Sequence, residues 1–243
     1  MKIKSLFVGL AAALIATASF AGRGSDGNVS IIYWQAPSIL NPYLSSGTKD
    51  IESSSMIIEP LGRYTETGAL VPYLAEEIPT VENGGVSSDL MSITWKLKKG
   101  LKWSDGSAVT SADVKFTADY CMHPEGGCAQ LAKFDGVTSV TTPDDRTIVV
   151  KFSAPKPNPY GPFMGGQSPI IQKKQFENCM GAKAPNCTDA NFGPIGTGPF
   201  VVTEFKPNDV IQMKANDNYR DSSKPAFATV TFKGCLLYTS DAA

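Results

Sequence analysis

Ile93-Thr94-Trp95-Lys96-Leu97-Lys98-Lys99-Gly100-Leu101-Lys102-Trp103-Ser104-Asp105-Gly106, followed closely by Thr110-Ser111-Ala112-Asp113-Val114-Lys115-Phe116, decides the fold. Ile93, Trp95 and Leu97 alternate with Thr94, Lys96 and Lys98, which is the period-2 pattern of a strand with one face buried. Ser104-Asp105-Gly106 supplies a turn. Thr110 then caps a helix with Asp113 three residues on, where a carboxylate meets the favourable end of the helix dipole. That helix runs from Ser111 to about Tyr120 and puts Val114, Thr117, Ala118 and Cys121 on one side.

Working outward, Ser139–Thr141 and Thr147–Phe152 read as a hairpin around Pro143-Asp144-Asp145-Arg146. Phe200–Phe205 and Val210–Ala215 read as a second, turned at Pro207-Asn208. Val29–Trp34, Leu61–Tyr64 and Phe227–Phe232 are further strands. A helix from Asp50 to Ile58, a turn of helix within Val71–Pro79, and helix within Ile171–Cys179 complete the reading. Lys156–Pro162 is too rich in proline for regular structure and reads as an extended surface connection. Strands and helices do not alternate as βαβ units and no internal repeat is present, so the class is mixed α+β.

The N-terminus reads as an export signal. Lys2 and Lys4 precede an apolar run from Leu6 to Ala18, and Ser19-Phe20-Ala21 offers small residues for cleavage after Ala21. The apolar run is short for a membrane span. Removing residues 1–21 leaves 20 basic against 23 acidic residues, a formal charge of −3. No basic run exceeds Lys98-Lys99, so nucleic acid and anionic membrane surfaces are not expected partners.

In an exported chain the cysteines suggest two local disulfides, Cys121 with Cys128 and Cys179 with Cys187, each closing a short loop. The competing reading makes Cys121, His123 and Cys128 metal ligands, but a fourth ligand is missing and the spacing matches no common zinc template. No metal or other cofactor is expected. His123 is the sole histidine and has no nucleophile-type turn beside it, which argues against a Ser-His-Asp triad. Glu76-Glu77 and Asp144-Asp145 read as solvated acids. Gly196-Thr197-Gly198 lacks the Lys-Ser/Thr of a phosphate loop and leads through Pro199 into a strand; it reads as a tight strand entry that needs glycine.

Besides the 93–116 region, Asn41-Pro42-Tyr43, Glu59-Pro60-Leu61-Gly62-Arg63-Tyr64, Leu70-Val71-Pro72-Tyr73-Leu74-Ala75-Glu76, Pro194-Ile195-Gly196-Thr197-Gly198-Pro199-Phe200 and Asn216-Asp217-Asn218-Tyr219-Arg220 occur in order. This ordered set resembles the family 5 extracytoplasmic solute-binding proteins, the peptide-binding receptors of ABC importers. The resemblance covers nearly all of residues 29–233. It implies a two-lobed periplasmic binding protein, not an enzyme, that captures a peptide or other small solute by closing around it and delivers it to an inner-membrane ABC permease. It also implies a first lobe from residues 22–64 and 195–233, an inserted subdomain at 65–194, and a monomer. The second lobe is missing, and residues 234–243, including Cys235, read as a tail foreign to the natural protein.

Candidate ligand contacts are Tyr33, Trp34 and Gln35 at the end of the first strand, and Gly166, Gln167 and Ser168 in a flexible polar segment after the prolines. For Tyr33 and Trp34, burial as core is an equally open reading. Alternatives within the family are an oligosaccharide, opine, glutathione or metal-chelate receptor. Outside it stand a secreted hydrolase and a purely structural exported protein.

Overall fold

The computed structural model describes residues 27–235. The expected signal peptide, and residues 236–243 of the expected tail, lie outside the described residues. The chain runs β1 (Asn28–Tyr33), α1 (Thr48–Ser54), β2 (Gly62–Tyr64), β3 (Leu70–Pro72), β4 (Ser92–Lys96), α2 (Ser111–Cys121), β5 (Val137–Asp144), β6 (Thr147–Phe152), α3 (Lys173–Phe176), α4 (Thr188–Phe192), β7 (Phe200–Lys206), β8 (Val210–Ala215) and β9 (Thr229–Gly234).

The alternation at 93–97 does what its period demands. β4 pairs antiparallel with β6, β6 with β5, and Ile93, Trp95 and Leu97 turn inward with no exposed surface. α2 covers this three-stranded sheet, burying Val114, Thr117, Ala118 and Cys121 on the expected side. Its cap forms as read, with Asp113 Oδ2 accepting the Thr110 N–H at 2.9 Å. Asp113 Oδ1 also accepts the Lys173 N–H at 3.0 Å, so the capping residue fixes the start of α3. Trp95 and Trp103 are both core, within a large cluster that includes Phe134, Phe163 and Phe176.

A second sheet has the order β1-β9-β8-β7. The two hairpin strands β7 and β8 are antiparallel, β8 and β9 are antiparallel, and β1 joins the edge parallel to β9. Its own smaller core contains Leu40, Ile57, Ile58, Phe200, Ile211, Met213, Val230 and Phe232. Tyr43 and Leu61, although close in sequence to Leu40 and Ile58, pack in the larger core. The N-terminal stretch therefore contributes to both.

The two cores meet where Gly196-Thr197-Gly198 crosses the end of α1. Gly198 N–H donates to the Ile57 carbonyl at 2.8 Å, and Ser104 N–H donates to the Gly196 carbonyl at 2.8 Å. A Cβ on Gly196 would stand 1.8 Å from the Ile57 oxygen, so only glycine permits this approach.

Both cysteine pairs are disulfide-bonded, Cys121 to Cys128 and Cys179 to Cys187. Closing loops of this length stabilises the fold by roughly 2.5 kcal/mol each on the chain-entropy model. The two closed loops touch, because a Cβ on Gly181 would lie 2.6 Å from the His123 ring. Bonded sulfurs are not thiolate ligands, and the Cys121–His123–Cys128 metal reading is set aside.

Several local expectations need correction. Val71–Pro79 contains no helix: β3 occupies its start and Ala75 bridges to Leu97, since backbone partners on neighbouring strands were available. Within Ile171–Cys179 only Lys173–Phe176 is helical. The residues before it are held by distant groups, Ile170 N–H by the Glu59 carbonyl and Ile171 N–H by Thr117 Oγ1. α1 begins at Thr48 and stops at Ser54, with Asp50 inside its first turn. The last strand is displaced to Thr229–Gly234, so Gly234, assigned to the foreign tail, completes β9 opposite Tyr33. Among the described residues no helix is long and apolar enough to cross a membrane.

Candidate functional site

β1 lies at a sheet edge, and because it runs parallel to β9 both strands end on the same side. Ligands commonly approach such a shared carboxyl end. Tyr33 pairs with Gly234 there, and the Tyr33 carbonyl accepts the Cys235 N–H at 2.7 Å. Trp34 is 55% exposed and its ring centroid lies 3.6 Å from that of Tyr33. Gln35 is exposed. The core alternative for Trp34 is thereby excluded, while Tyr33 is half-buried against Phe232.

α1 organises the site. The Tyr33 hydroxyl donates to the Glu52 carboxylate, and burial together with that carboxylate pushes the phenol up to about 12, so it remains a donor. On the neighbouring side of the helix, Gly166 packs so closely that a Cβ would lie 2.5 Å from Ser55 Oγ and 3.4 Å from the Ile51 side chain. The two candidate segments, more than a hundred residues apart in sequence, therefore converge on Ile51, Glu52 and Ser55. Gln167 is exposed beside them. Ser168 is fully buried, and its Oγ accepts the Phe163 N–H at 2.9 Å, so it supports the turn that presents Gly166 and Gln167.

Sequence reasoning missed three groups here. Glu52 and Ser55 were not singled out within the expected helix. Their i, i+3 spacing, which places them on one face, was the available signal. Asp50 was read only as a helix start. It is almost fully buried and accepts from Ser38 N–H at 2.7 Å, Ser45 Oγ at 2.7 Å and Lys49 Nζ at 3.0 Å. It thus fastens the loop that follows Gln35 to the helix.

Burial alone would raise the Asp50 pKa, but hydrogen bonds from Ser45, Ser38 and Lys49 outweigh it and hold the carboxyl below its ordinary range. With the folded value lower than the unfolded one, its stabilisation is present above the ordinary carboxylate range and is lost as pH falls through the folded value. Asp50→Asn is expected to flatten the acid limb of stability between about pH 5 and pH 3, as read from urea midpoints. A limb as steep as the parent's would contradict this.

No catalytic constellation emerges from the residues weighed for one. His123 Nδ1 accepts the Glu125 N–H at 3.2 Å. Glu76 pairs with Arg146, and Asp144 Oδ1 accepts the N–H groups of Arg146 at 2.8 Å and Thr147 at 2.9 Å. Among the described residues no group of three or more His, Cys, Asp and Glu side chains is placed to hold a metal ion. Two cavities, of about 290 and 370 Å³, lie against Trp103 and Gln172 and against the Cys179–Cys187 disulfide, and contain none of the six candidates.

Residues 69–235 match the family described as bacterial extracellular solute-binding proteins, family 5. The chain belongs to this family. Among family 5 relatives, the oligopeptide-binding protein AppA of Bacillus subtilis is 27% identical over 197 residues, covering 81% of this chain and 35% of AppA. The dipeptide-binding protein of Escherichia coli is 28% identical over 220 residues, covering 81% and 39%. The structure of AppA in complex with a nonapeptide superposes with a TM-score of 0.75 at 24% identity over 86% of this chain and 40% of that one, which shows the fold. AgaA, solved with agropinic acid, gives 0.72 at 25% identity over 86% and 40%. The chain thus spans well under half the length of these relatives. The mixed α+β fold is part of a two-lobed solute-binding protein, and the relatives are binding proteins and not enzymes. Family membership places the protein outside the cytoplasm.

Proposed function

We propose that the chain is the first-lobe portion of a periplasmic receptor, exported by its N-terminal signal, which captures peptides and presents them to an ABC permease in the inner membrane. The observation that carries this reading is the convergence of Tyr33 and Gly166 on α1, with Trp34 stacked on Tyr33 at the shared carboxyl end of β1 and β9. Edge strand and glycine segment both offer main-chain groups, which suit a ligand recognised through its own backbone whatever its side chains. The names of AppA and the dipeptide-binding protein support the ligand class.

In this reading the smaller core belongs to the lobe built from residues 22–64 and 195–233, and the larger core, apart from Tyr43 and Leu61, to the subdomain inserted at 65–194. A ligand held between lobes favours the closed state by its differential affinity, and the permease recognises that state. The receptor acts as a monomer.

The test is thermal unfolding of the purified full-length receptor, with both lobes, against dipeptides, tripeptides and longer peptides, with agropinic acid, a sugar and a nickel chelate in parallel. Binding to the native state alone raises the apparent midpoint with ligand concentration. A concentration-dependent rise with peptides, reduced by Trp34→Ala, is the expected result. A rise with another solute and none with any peptide would retain the fold and overturn the ligand class.

A further inference from the structure

Where the β2–β3 hairpin, the residues after β4 and the residues after β8 meet, positive charge exceeds negative. The Arg63 guanidinium lies 4.7 Å from the centre of the Tyr73 ring and that of Arg220 lies 5.6 Å from it, so one aromatic ring has two cations against it. Lys98 is the third cation. Its N–H donates to the Leu74 carbonyl at 2.9 Å, which sets it one residue from Tyr73. Arg63, Tyr73, Lys98 and Arg220 are all half-buried.

Against these three cations stand one buried carboxylate, Glu59, and the Asp221 carboxylate next to Arg220. Glu59 is 1% exposed; it accepts both terminal nitrogens of Arg220, one at 3.1 Å, and the Tyr219 hydroxyl at 3.3 Å. Its lone pairs are engaged, and neither Arg63 nor Lys98 has an ion pair among the described residues. Arg63 donates one nitrogen to the Ser55 carbonyl at 2.9 Å, while its buried Nε has no hydrogen-bond partner. Burial first, and then the Arg220 charge, hold the Lys98 ammonium below its ordinary value against the opposing pull of Glu59.

A surplus of positive charge in partly desolvated surroundings favours an anion more strongly than the same charges in open water. A guanidinium edge pairs naturally with the two oxygens of a carboxylate, and an ammonium adds freely rotating donors. Ser55, which holds Arg63, is the residue against which Gly166 packs, so this patch adjoins the face of α1 described above. We propose that Arg63, Lys98 and Arg220, arranged around Tyr73, form a subsite for a carboxylate of the bound solute. The choice of carboxylate among oxyanions rests on the receptor reading, and the experiment separates the two.

The chain is prepared with ¹³Cε-labelled lysine, the Lys98 signal is assigned with Lys98→Met, and the protein is titrated with trialanine, trialanine amide, succinate and inorganic phosphate. Trialanine and succinate are expected to move the Lys98 signal saturably and to raise its pKa. The amide should bind at least about tenfold more weakly than trialanine, as loss of a charge-assisted contact implies. Lys98→Met, which keeps an apolar chain of similar length in a half-buried position, should abolish that difference, and Arg63→Gln should do so independently. Movement with succinate but binding of neither peptide would uphold the subsite and sink the peptide reading. Equal binding of acid and amide with an unmoved Lys98 would sink the subsite and leave the receptor reading standing. A response to phosphate alone, or to no probe, would overturn the assignment.

Discussion

Gly196→Ala is expected to destabilise the chain by about 3 kcal/mol or more, above the usual range for an added methyl group. The new Cβ would meet the Ile57 carbonyl oxygen at 1.8 Å and its carbon at 2.6 Å, and these are backbone atoms that no rotamer change can withdraw. Movement the other way is opposed by the Ser104 N–H, held at 2.8 Å on the Gly196 carbonyl, and by Gly198 N–H on the Ile57 carbonyl at 2.8 Å. Separating these groups would separate the two cores. Urea unfolding checks the value, with Gly193→Ala as control because its nearest contact is an ordinary 3.4 Å to the Asp189 oxygen. Equal midpoints for the two variants would refute the close-approach argument.

Glu59→Gln should lower stability by about 3 kcal/mol, the lower end of what breaking one side of a buried ion pair removes. The lower end applies because Arg220 is 21% exposed and water recovers part of its solvation. Glutamine keeps the volume, so no cavity contributes. What is lost is the buried carboxylate paired with Arg220, leaving three cations around Tyr73. In the double variant with Arg220→Met, the two losses should be less than additive by more than about 1 kcal/mol, since the second change removes the charge that the first left unpaired. Additive losses would show that the pair is not coupled.

Local order was legible wherever one short segment held all the information. The alternation of Ile93, Trp95 and Leu97, the Thr110–Asp113 cap and both hairpins formed as read, because period and capping chemistry act between near neighbours. The reading failed where a backbone group had a distant suitor. Ile171 lost its helix to Thr117, and Val71–Pro79 lost its turn of helix to strand partners.

The candidate site followed the same division. Trp34 and Gln35 were legible as a strand end before a proline, whereas Glu52 carried only the faint mark of its helix face. Asp50, which accepts from Ser38, Ser45 and Lys49, read only as the start of a helix. By itself the amino-acid order determined most element types, the need for glycine at 196–198, the cysteine pairing and the family, all of which depend on neighbours or on an ordered set of short motifs. Only the tertiary structure decided that β1 lies against β9, that Tyr33 and Gly166 share α1, and that Arg63, Lys98 and Arg220 gather round Tyr73. Those meetings join residues tens to hundreds of positions apart. They are selected by burial of two separate apolar cores, a property of the whole chain that no window of sequence contains.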